Sequence, residues 1–408
     1  MKRLKILHVV ENFYPIYGGV TSVVDGLCES LSQFADVTVA TVEPDLKKGE
    51  VFKELQRSYK IVRCKGYKNK LTGDMVACPA SDKNFRTFIK EGDFDIIHCH
   101  FPLALASYVS RIARKRGIPV IQTIHSLYWY DIQNFIKCKP LADIATRIAV
   151  ARIQKNADYI WAVSQFCKDF LQKFGLKGKV EVVYNCTEQE VFNKEKLSHV
   201  SFANVKKHKL TLLTVGRLIK IKNLDLILDS LHLLKNDNLD IHTYIVGSGA
   251  NEKHLRAKVT KLGLEEQVTF TGPITDKNVL ANFYRASDLV LFPSCADSAG
   301  LIHVEGAMYG KPTLAIENTA ISEKIKDGIN GLVSKNNALD FSNKIRYAYQ
   351  NKEKLLKMGE NAKSSLVRLY SDPAVAMELY QKYCSAVTLF TKNQYIFGKE
   401  AAIIKKQI

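Results

Sequence analysis

The sequence lacks several features that would place it in other classes of protein. No apolar run in its 408 residues approaches the roughly 18 residues that span a bilayer. The apolar run at residues 4–10 has a basic flank but is too short for a signal peptide, and it predicts a buried parallel strand. The nine cysteines, an odd number, are scattered without a C-x-x-C pair, which favours free thiols in a reducing cytosol. These absences predict a cytoplasmic protein.

Acidic residues are scarce relative to basic ones. The chain has 59 Lys and Arg against 41 Asp and Glu, a net charge of +18. Nine basic residues fall between Lys47 and Lys70, and a second cluster lies at residues 111–116. Such patches attract anionic membranes or nucleic acids, and a merely solvated basic surface is the structural alternative. Because no recognisable nucleic-acid reading module accompanies them, we favour reversible binding at the inner face of the cell membrane.

The succession of strands and helices predicts two α/β domains. A chain of this length is more typical of two domains than of one. Short β-rich runs alternate with helical patterns up to residue 184, and the alternation restarts at residue 210 after a polar stretch at 188–209. Alternation of this kind indicates βαβ units and parallel sheets covered on both faces. We expect an N-terminal domain at 1–190, a C-terminal domain at 191–372, and then a terminal helix.

A strand–loop–helix segment at residues 289–308 carries two acids. The apolar run ends at Phe292, and Gly300 and Leu301 open a segment with apolar residues at helical spacing. Such a junction places backbone N–H groups at the carboxyl end of a strand, where they suit a phosphate. Asp297 in the loop and Glu305 in the helix could hold the hydroxyls of a sugar and a ribose. A loop acid and a solvated helical glutamate are the alternative.

Two further segments have phosphate-binding character. Gly18 and Gly19 follow the first strand and open a helix, so that the backbone can approach a diphosphate without a Cβ clash. Arg217 and Lys222 follow the first strand of the second domain, where open α/β sheets bind ligands. Two cations five residues apart across a turn can bracket a diphosphate. A tight turn and a solvated basic loop are the structural alternatives.

Shorter loops at strand ends extend this candidate site. Gly247 lies in a glycine-rich loop that lacks the third glycine of a dinucleotide fingerprint, but it can line a nucleotide at the end of a strand. Thr271 and Ile274 bound a segment after another strand. We expect this segment to place backbone groups near a base.

Two segments are formally similar to metal sites. His98 and His100 flank a cysteine, but no fourth ligand lies at zinc-finger spacing, so a strand ending at a cleft is favoured. Asp93 and Asp95 form a D-x-D pattern that introduces a strand within a βαβ alternation. We therefore predict no metal site and no cofactor.

Together these motifs resemble the retaining, nucleotide-sugar-dependent glycosyltransferases of family four (glycosyl transferases group 1), over nearly the whole chain. The family signature E-x-F-G-L-x-x-x-E corresponds to Asp297–Glu305, with aspartate at the first position and Ser298 after it. The pattern G-R-L-x-x-x-K-G corresponds to residues 216–223, with Asn223 in place of the last glycine. The resemblance implies a GT-B fold. In that fold two Rossmann-like domains have parallel sheets facing across a cleft, and a terminal helix, here about 373–408, packs back on the first.

The resemblance also implies roles. Arg217 and Lys222 would bind the donor diphosphate, Glu305 the ribose, and Asp297 the transferred sugar. His125, which follows an apolar strand, matches a family histidine near the reacting centre. The implied reaction transfers a hexose-type sugar, with retention and without a metal, from a nucleoside-diphosphate sugar to a hydroxyl of a lipid-linked or polysaccharide acceptor. The product would be a cell-surface glycan such as capsule or lipopolysaccharide. An epimerase or an inverting transferase of the same fold is the alternative.

Overall fold

The structure, a computed structural model, describes residues 3–16, 18–45, 54, 56–69, 75–185, 208–367 and 376–392. The chain divides into two compact units: unit 1 is residues 1–188 and 372–408, and unit 2 is residues 189–371. The boundaries expected at 190 and 372 both lie outside the described residues. So do most of the expected hinge at 188–209, part of the basic segment at 47–70, and the end of the terminal helix.

Unit 1 is built on a seven-stranded parallel sheet. Its strands are β1 (Lys5–Val9), β2 (Asp36–Val42), β3 (Lys60–Cys64), β6 (Ile96–Cys99), β7 (Val120–Ile124), β8 (Tyr159–Ala162) and β9 (Val180–Val182), and a separate antiparallel pair is formed by β4 (Gly66–Lys68) and β5 (Met75–Ala77). The order in the sheet is β3-β2-β1-β6-β7-β8-β9. The helices are α1 (Gly19–Leu31), α2 (Lys83–Glu91), α3 (Ala104–Arg116), α4 (Tyr128–Phe135), α5 (Lys139–Asn156), α6 (Gln165–Lys173) and the terminal helix at 376–392.

Both faces of this sheet are covered, which explains why its central strands are nearly continuous apolar runs. On one face α1 and the terminal helix complete an apolar cluster that contains Leu27 and Tyr383. On the other face α2 and α3 complete a second cluster, with Phe85 and Val109. The terminal helix is fastened within unit 1 by a hydrogen bond of 2.9 Å from the Tyr159 hydroxyl to the carbonyl oxygen of residue 386.

Unit 2 repeats this plan with six parallel strands. These are β10 (Leu210–Val215), β11 (Ile241–Val246), β12 (Val268–Gly272), β13 (Leu289–Phe292), β14 (Thr313–Ile316) and β15 (Gly331–Ser334), in the order β12-β11-β10-β13-β14-β15. The helices are α7 (Leu224–Leu234), α8 (Glu252–Leu262), α9 (Lys277–Ala286), α10 (Ile302–Met308), α11 (Ala338–Gln350) and α12 (Lys352–Ala362), with 3-10 turns at Lys220–Lys222, Lys235–Asp237 and Ser322–Lys324 and a π turn at Lys363–Val367.

In each unit the first strand lies where strand addition reverses direction. β1 is flanked by β2 and β6, and β10 is flanked by β11 and β13. Open α/β sheets bind ligands beside the carboxyl ends of strands at such a switch point. The predicted α/β architecture with two parallel sheets is therefore confirmed. Within the described part of the chain, no helix is both long enough and apolar enough to cross a membrane.

Candidate functional site

The loops that follow β10 and β13 line one small cavity at the switch point of unit 2. The β10 loop contributes Arg217 and Lys222, and the β13 loop contributes Ser294. Lys222 ends a 3-10 turn and its Nζ lies 5.5 Å from the centroid of the Phe292 ring. The fold thus brings the two predicted cations together. Glu305 is not among the residues that line this cavity.

Backbone hydrogen bonds connect the β10 loop to the end of β11, and the β11 loop to the end of β12. The Gly216 N–H donates to the Val246 carbonyl oxygen, and the Gly247 N–H donates to that of Gly272, both at 2.9 Å. A Cβ on Gly247 would lie 1.9 Å from the Gly216 oxygen, and its φ is +134°, so only glycine fits. Close approach of two backbones therefore explains Gly247, and its N–H is already bonded within unit 2.

Thr271 and Ile274, which the sequence places near a base, lie at and just beyond the end of β12. The Thr271 hydroxyl donates to the Gly272 carbonyl oxygen at 2.9 Å. Ile274 is half-buried and packs against an apolar cluster that contains Tyr244 and Phe283. Both side chains thus have contacts inside unit 2.

Asp297 is bound through both of its carboxylate oxygens. Oδ2 pairs with Lys222 Nζ, and Oδ1 accepts the Gly300 N–H at 3.0 Å. The sequence predicts that this N–H faces a phosphate, whereas here it bonds Asp297. A diphosphate that engages Lys222 would therefore share that cation with Asp297 or displace the carboxylate.

The loop between β13 and α10 is shaped by packing at Gly300. Its φ is +54°, and a Cβ there would lie 2.6 Å from Ile321 Cδ1. α10 begins at Ile302, with Leu301 as N-cap and no side-chain cap, one residue after the helical pattern that the sequence shows from Leu301. Ser298 is half-buried in the same loop.

Asn223, which departs from the family pattern, occupies a position that normally favours glycine. Its φ is +55°, and asparagine is among the few residues that tolerate this left-handed region. Its Nδ2 donates to the Pro293 carbonyl oxygen at 3.1 Å and to Asn336 Oδ1 at 3.0 Å. Asparagine therefore keeps the backbone shape and adds bonds to two neighbouring loops.

Glu305 lies in the first turn of α10 and accepts a hydrogen bond from the Tyr284 hydroxyl of α9 on Oε2. Tyr284 is fully buried and stacks on Tyr309, with ring centroids 5.7 Å apart. Burial raises the pKa of the Glu305 carboxyl, and the bond from Tyr284 opposes that rise. The tyrosine therefore orients Glu305 and supports its ionised form.

Unit 1 carries a buried group of four histidines at its own switch point. His8 Nδ1 lies 2.9 Å from His100 Nε2, and His100 Nδ1 lies 3.0 Å from His125 Nε2. His98 bonds the hydroxyls of Thr123 and Tyr383, both at 2.6 Å. A cavity of about 20 Å³ lies against His98, His100 and His125.

These imidazoles are neutral at physiological pH. Burial lowers the pKa of His8 and His125 to about 3. Burial also lowers the pKa of His98 and His100 well below the usual value, and the neighbouring histidines add to that effect. The residue predicted near the reacting centre, His125, is thus part of a larger neutral network.

One side-chain nitrogen from each of His8, His98 and His100 also lies within 4.8 Å of the other two, a grouping that could hold a metal ion. Both nitrogens of His98 and both of His100 already take part in hydrogen bonds. Hydrogen bonding among neutral side chains is therefore a sufficient explanation of the cluster.

Gly18 and Gly19 lie at the start of α1. Gly18 is the N-cap, without a side-chain cap, and both glycines are exposed. A Cβ added to either would meet nothing within 4 Å. In contrast to Gly247 and Gly300, no packing contact of the described residues demands glycine here.

Sequence reasoning missed His8 and Tyr284. His8 is a polar side chain between the apolar residues Leu7 and Val9 of β1, and this irregularity is a signal that could have been used. Tyr284 gives no such signal, because it is one of 18 tyrosines and only the fold places it against Glu305.

Two family models match the chain in succession. The model described as Glycosyltransferase Family 4 matches residues 17–191, and the model described as Glycosyl transferases group 1 matches residues 198–365.

Individual proteins that resemble this chain share a low sequence identity with it. An uncharacterised glycosyltransferase of Methanocaldococcus jannaschii is 26% identical over 86% of this chain and 90% of its own. Anabaena HepE, solved in complex with UDP, superposes with a TM-score of 0.71 at 18% identity, covering 94% of this chain and all of that one. WaaG, a glycosyltransferase involved in lipopolysaccharide biosynthesis, gives a TM-score of 0.65 at 16% identity over 92% of this chain and 99% of its own.

Proposed function

This chain belongs to the group 1 glycosyltransferases and has the GT-B fold, and on that premise we propose that it is a retaining, nucleotide-sugar-dependent hexosyltransferase. The donor is a nucleoside-diphosphate sugar. The acceptor is a hydroxyl of a lipid-linked or polysaccharide molecule in the synthesis of a cell-surface glycan. The structure of HepE with UDP supports the class of donor, and the role of WaaG in lipopolysaccharide biosynthesis supports the class of acceptor.

One observation carries the proposal: Arg217 and Lys222 line the same cavity at the β10/β13 switch point. Sugar transfer leaves a nucleoside diphosphate whose negative charge grows in the transition state. Fixed cations at that position stabilise the leaving group. The planar guanidinium can bond two phosphate oxygens, and the ammonium acts as a point charge. Two such cations supply the charge that a metal ion would otherwise bring, so the proposal includes no metal.

The two acids have different proposed roles. Glu305 accepts hydrogen bonds from the ribose hydroxyls on a carboxylate that Tyr284 orients. Asp297 contacts the transferred sugar only after ligand binding loosens its bond to Lys222. In unit 1, we propose that the backbone at Gly18 and Gly19 approaches the donor diphosphate. We also propose that His125 lies near the reacting centre.

Retention needs no enzyme nucleophile in this proposal. The departing diphosphate takes the proton of the acceptor hydroxyl on the same face of the sugar, so one C–O bond breaks as the other forms. Product analysis by NMR tests this: the product should keep the donor's anomeric configuration. An inverted product, or a 2-epimer of the donor sugar, would establish the alternative reactions.

Donor binding is tested by calorimetry with UDP, GDP and ADP. We expect one of them to bind, and Arg217→Ala and Lys222→Ala each to abolish measurable binding. Turnover in Arg217→Ala should fall by roughly 10²–10³. Lys220→Ala is the matched control, because Lys220 is an exposed cation of the same loop outside the cavity lining. Equal losses in the control, or full activity in Arg217→Ala, would contradict the proposal.

An anionic membrane is the proposed partner of unit 1, and an exposed surface on α5 supports this. Leu141, Ile144 and Ile148 form a stripe along α5, and they are 55%, 55% and 51% exposed. Exposed Arg147 and Arg152 flank this stripe. Apolar side chains between cations are typical of helices that lie in the plane of a membrane interface.

The basic cluster at 111–116 lies beside this α5 surface. α3 ends with Arg114, Lys115 and Arg116, and Arg114 donates a hydrogen bond to the carbonyl oxygen of Lys155 near the end of α5. The basic end of α3 therefore meets α5 about two turns beyond Ile148, where the exposed apolar stripe ends. Each cation near an anionic bilayer adds on the order of 1 kcal/mol of binding.

Flotation with vesicles of phosphatidylcholine and phosphatidylglycerol tests this partner. The protein should float at low salt, and Ile144→Ser combined with Ile148→Ser should remain at the bottom. Leu339→Ser with Leu356→Ser is the matched control, because those leucines are 65% and 63% exposed in unit 2. If both double variants float as well as the original protein, the α5 surface does not bind the membrane.

A further inference from the structure

The histidines of unit 1 are arranged in a line by the sheet. β1, β6 and β7 are neighbours, and the parallel register pairs His8 with His98. His100 lies two residues beyond His98, on the same face, and His125 follows the end of β7. A residue period of two in strands therefore places these rings together on the side covered by α1 and the terminal helix.

Three of the rings form a continuous chain of N–H···N bonds. The distances are 2.9 Å from His8 to His100 and 3.0 Å from His100 to His125. The ring planes of the two pairs differ by 14° and 30°. All three side chains are at most 7% exposed.

The direction of this chain is determined by its inner end. A neutral imidazole has one N–H and one lone pair, so all the bonds in the chain must point the same way. His8 Nε2 is buried and has no hydrogen-bond partner among the described residues. If the chain ran from His125 inward, that atom would carry a buried N–H without an acceptor. If it runs outward from His8, the atom is only an unused lone pair, which proteins tolerate better than an orphaned donor.

We propose that His8 and His100 are positioning residues whose outward hydrogen bonds hold His125 as the neutral Nδ1–H tautomer. In this state His125 Nε2 accepts from His100, and Nδ1 is the donor. A substrate oxygen that contacts Nδ1 would then accept this hydrogen bond, so that His125 acts as a donor and not as a general base. This consequence for catalysis rests on the proposed function, whereas the tautomer itself is a property of the ligand-free protein.

The alternative is that the histidines are only core packing. His98 provides an internal comparison, because its two partners are hydroxyls. A hydroxyl can donate or accept, so these contacts do not select one tautomer of His98. A directed chain therefore predicts one fixed tautomer for each of His8, His100 and His125, and no fixed tautomer for His98. Core packing alone does not predict this difference.

Long-range ¹H–¹⁵N correlation spectra of the full-length protein, labelled at histidine nitrogens and free of ligand, test the tautomer directly. Neutral imidazole nitrogens with and without a proton have widely separated ¹⁵N shifts, and the signals of His125 are identified by their loss in His125→Gln. We expect a protonated Nδ1 and an unprotonated Nε2 at His125. A protonated Nε2 at His125 in the unaltered protein would overturn the proposal, whether or not any variant folds.

Substitution at His100 tests whether this residue determines the tautomer of His125. His100→Leu removes the donor, and the neutral His125 should then shift toward the Nε2–H tautomer that isolated imidazoles favour. His100→Asn keeps an N–H near the position of Nδ1 and should restore the Nδ1–H form. His98→Gln is the control and should leave His125 unchanged. An unchanged His125 spectrum in a folded His100→Leu would refute the role of His100.

Kinetics then separate this proposal from the proposed function. Transferase turnover should fall at least tenfold in His100→Leu and recover in His100→Asn, with an unchanged donor KM. If NMR shows the expected tautomers but turnover does not follow them, the hydrogen-bonded chain of His8, His100 and His125 is confirmed and the proposed role of His125 in catalysis is wrong.

Discussion

The two switch points of this protein have the same topology and opposite chemistry. Beside β1, unit 1 gathers four neutral histidines that bond each other and hydroxyls. Beside β10, unit 2 gathers Arg217, Lys222 and Asp297, which are charged. The difference shows that the Rossmann-like plan fixes where polar groups converge, while the side chains decide which ligand groups they suit.

Burial explains how each group keeps its character. The histidines of unit 1 are enclosed by α1 and the terminal helix, and desolvation favours their uncharged form. In unit 2 the Arg217 residue is exposed, so water solvates it until a ligand arrives, whereas Lys222 is paired with Asp297. A neutral dry network suits directed hydrogen bonds to hydroxyls, whereas a solvated charged loop suits a diphosphate.

Of the predictions that distinguish the two units, the largest expected effect is that acidification destabilises unit 1 more than unit 2. The folded-state pKa of each of the four histidines is lowered, so their stabilisation is complete above the unfolded pKa of about 6.5. It is lost as pH falls from there toward the folded pKa. Between about pH 7 and pH 5.5 each contributes a loss of about 1 kcal/mol.

Glu11 of unit 1 opposes part of that loss, because burial raises its pKa to about 7. Its protonation favours the folded state as pH falls toward the unfolded pKa of about 4.3, so the net loss is on the order of 3 kcal/mol. In unit 2, burial likewise lowers the pKa of His303 to about 3. The raised pKa of Glu305 opposes the loss of stability that protonation of His303 causes as pH falls.

Hydrogen exchange followed by mass spectrometry measures both units in one sample. After correction for the intrinsic rate, peptides from β6 and β7 should lose protection on acidification while peptides from β10 and β11 change little. Equal losses in both sheets would break the comparison.

A smaller effect is expected when Tyr284 is changed to Phe. The hydroxyl donates to Glu305, and its loss removes the contribution that lowers the pKa of that carboxyl. Hydrogen bonds to charged groups are worth about 1.5–3 kcal/mol, so we expect the KM for the donor to rise about tenfold and to rise further at lower pH. Steady-state kinetics across pH would measure this.

The control for that change is Tyr349→Phe on α11. It removes the same atom from the same unit, away from Glu305, and should leave the KM unaltered. If Tyr284→Phe behaves like this control, the carboxylate of Glu305 does not depend on Tyr284.

The smallest expected effect concerns Asn223. Asn223→Gly keeps the left-handed backbone but removes the bonds to the Pro293 carbonyl and Asn336, which should cost about 1 kcal/mol of unfolding free energy. Asn223→Ala removes the same bonds, and its Cβ, which glycine lacks, disfavours φ of +55°. It should therefore lower the free energy of unfolding by about 1–2 kcal/mol more than Asn223→Gly does. Denaturant unfolding of the two variants would give this order. The reverse order would show that the backbone conformation does not matter there.

Much of the fold could be predicted from local sequence. The strands of both sheets are apolar runs bounded by loop residues, so local sequence indicates them, and their alternation with helices predicts parallel sheets. The order of the strands within each sheet comes from the structure alone. The positive φ of Gly300 and the close approach of Ile321 to it were not predicted. Side-chain packing between distant segments is not visible in local spacing.

The candidate site divides in the same way. The spacing of Arg217 and Lys222 sufficed to place them together, because both lie in one loop after one strand. The bond of Gly300 N–H to Asp297, the orientation of Glu305 by Tyr284, and the line of His8, His100 and His125 could not be predicted. Each joins residues whose contact depends on a turn, a helix crossing or a sheet register.

The alternating strands and helices, the position of the candidate phosphate-binding loops and the excess of positive charge can all be read from the amino-acid sequence. These follow from hydrophobic period, glycine placement and composition, which are local properties of the chain. The folded structure is needed to see which polar atoms are already bonded, which glycines are needed for packing, and that His8, His100 and His125 form one line. Those outcomes depend on parallel register and burial, and they arise only when segments far apart in sequence are packed together.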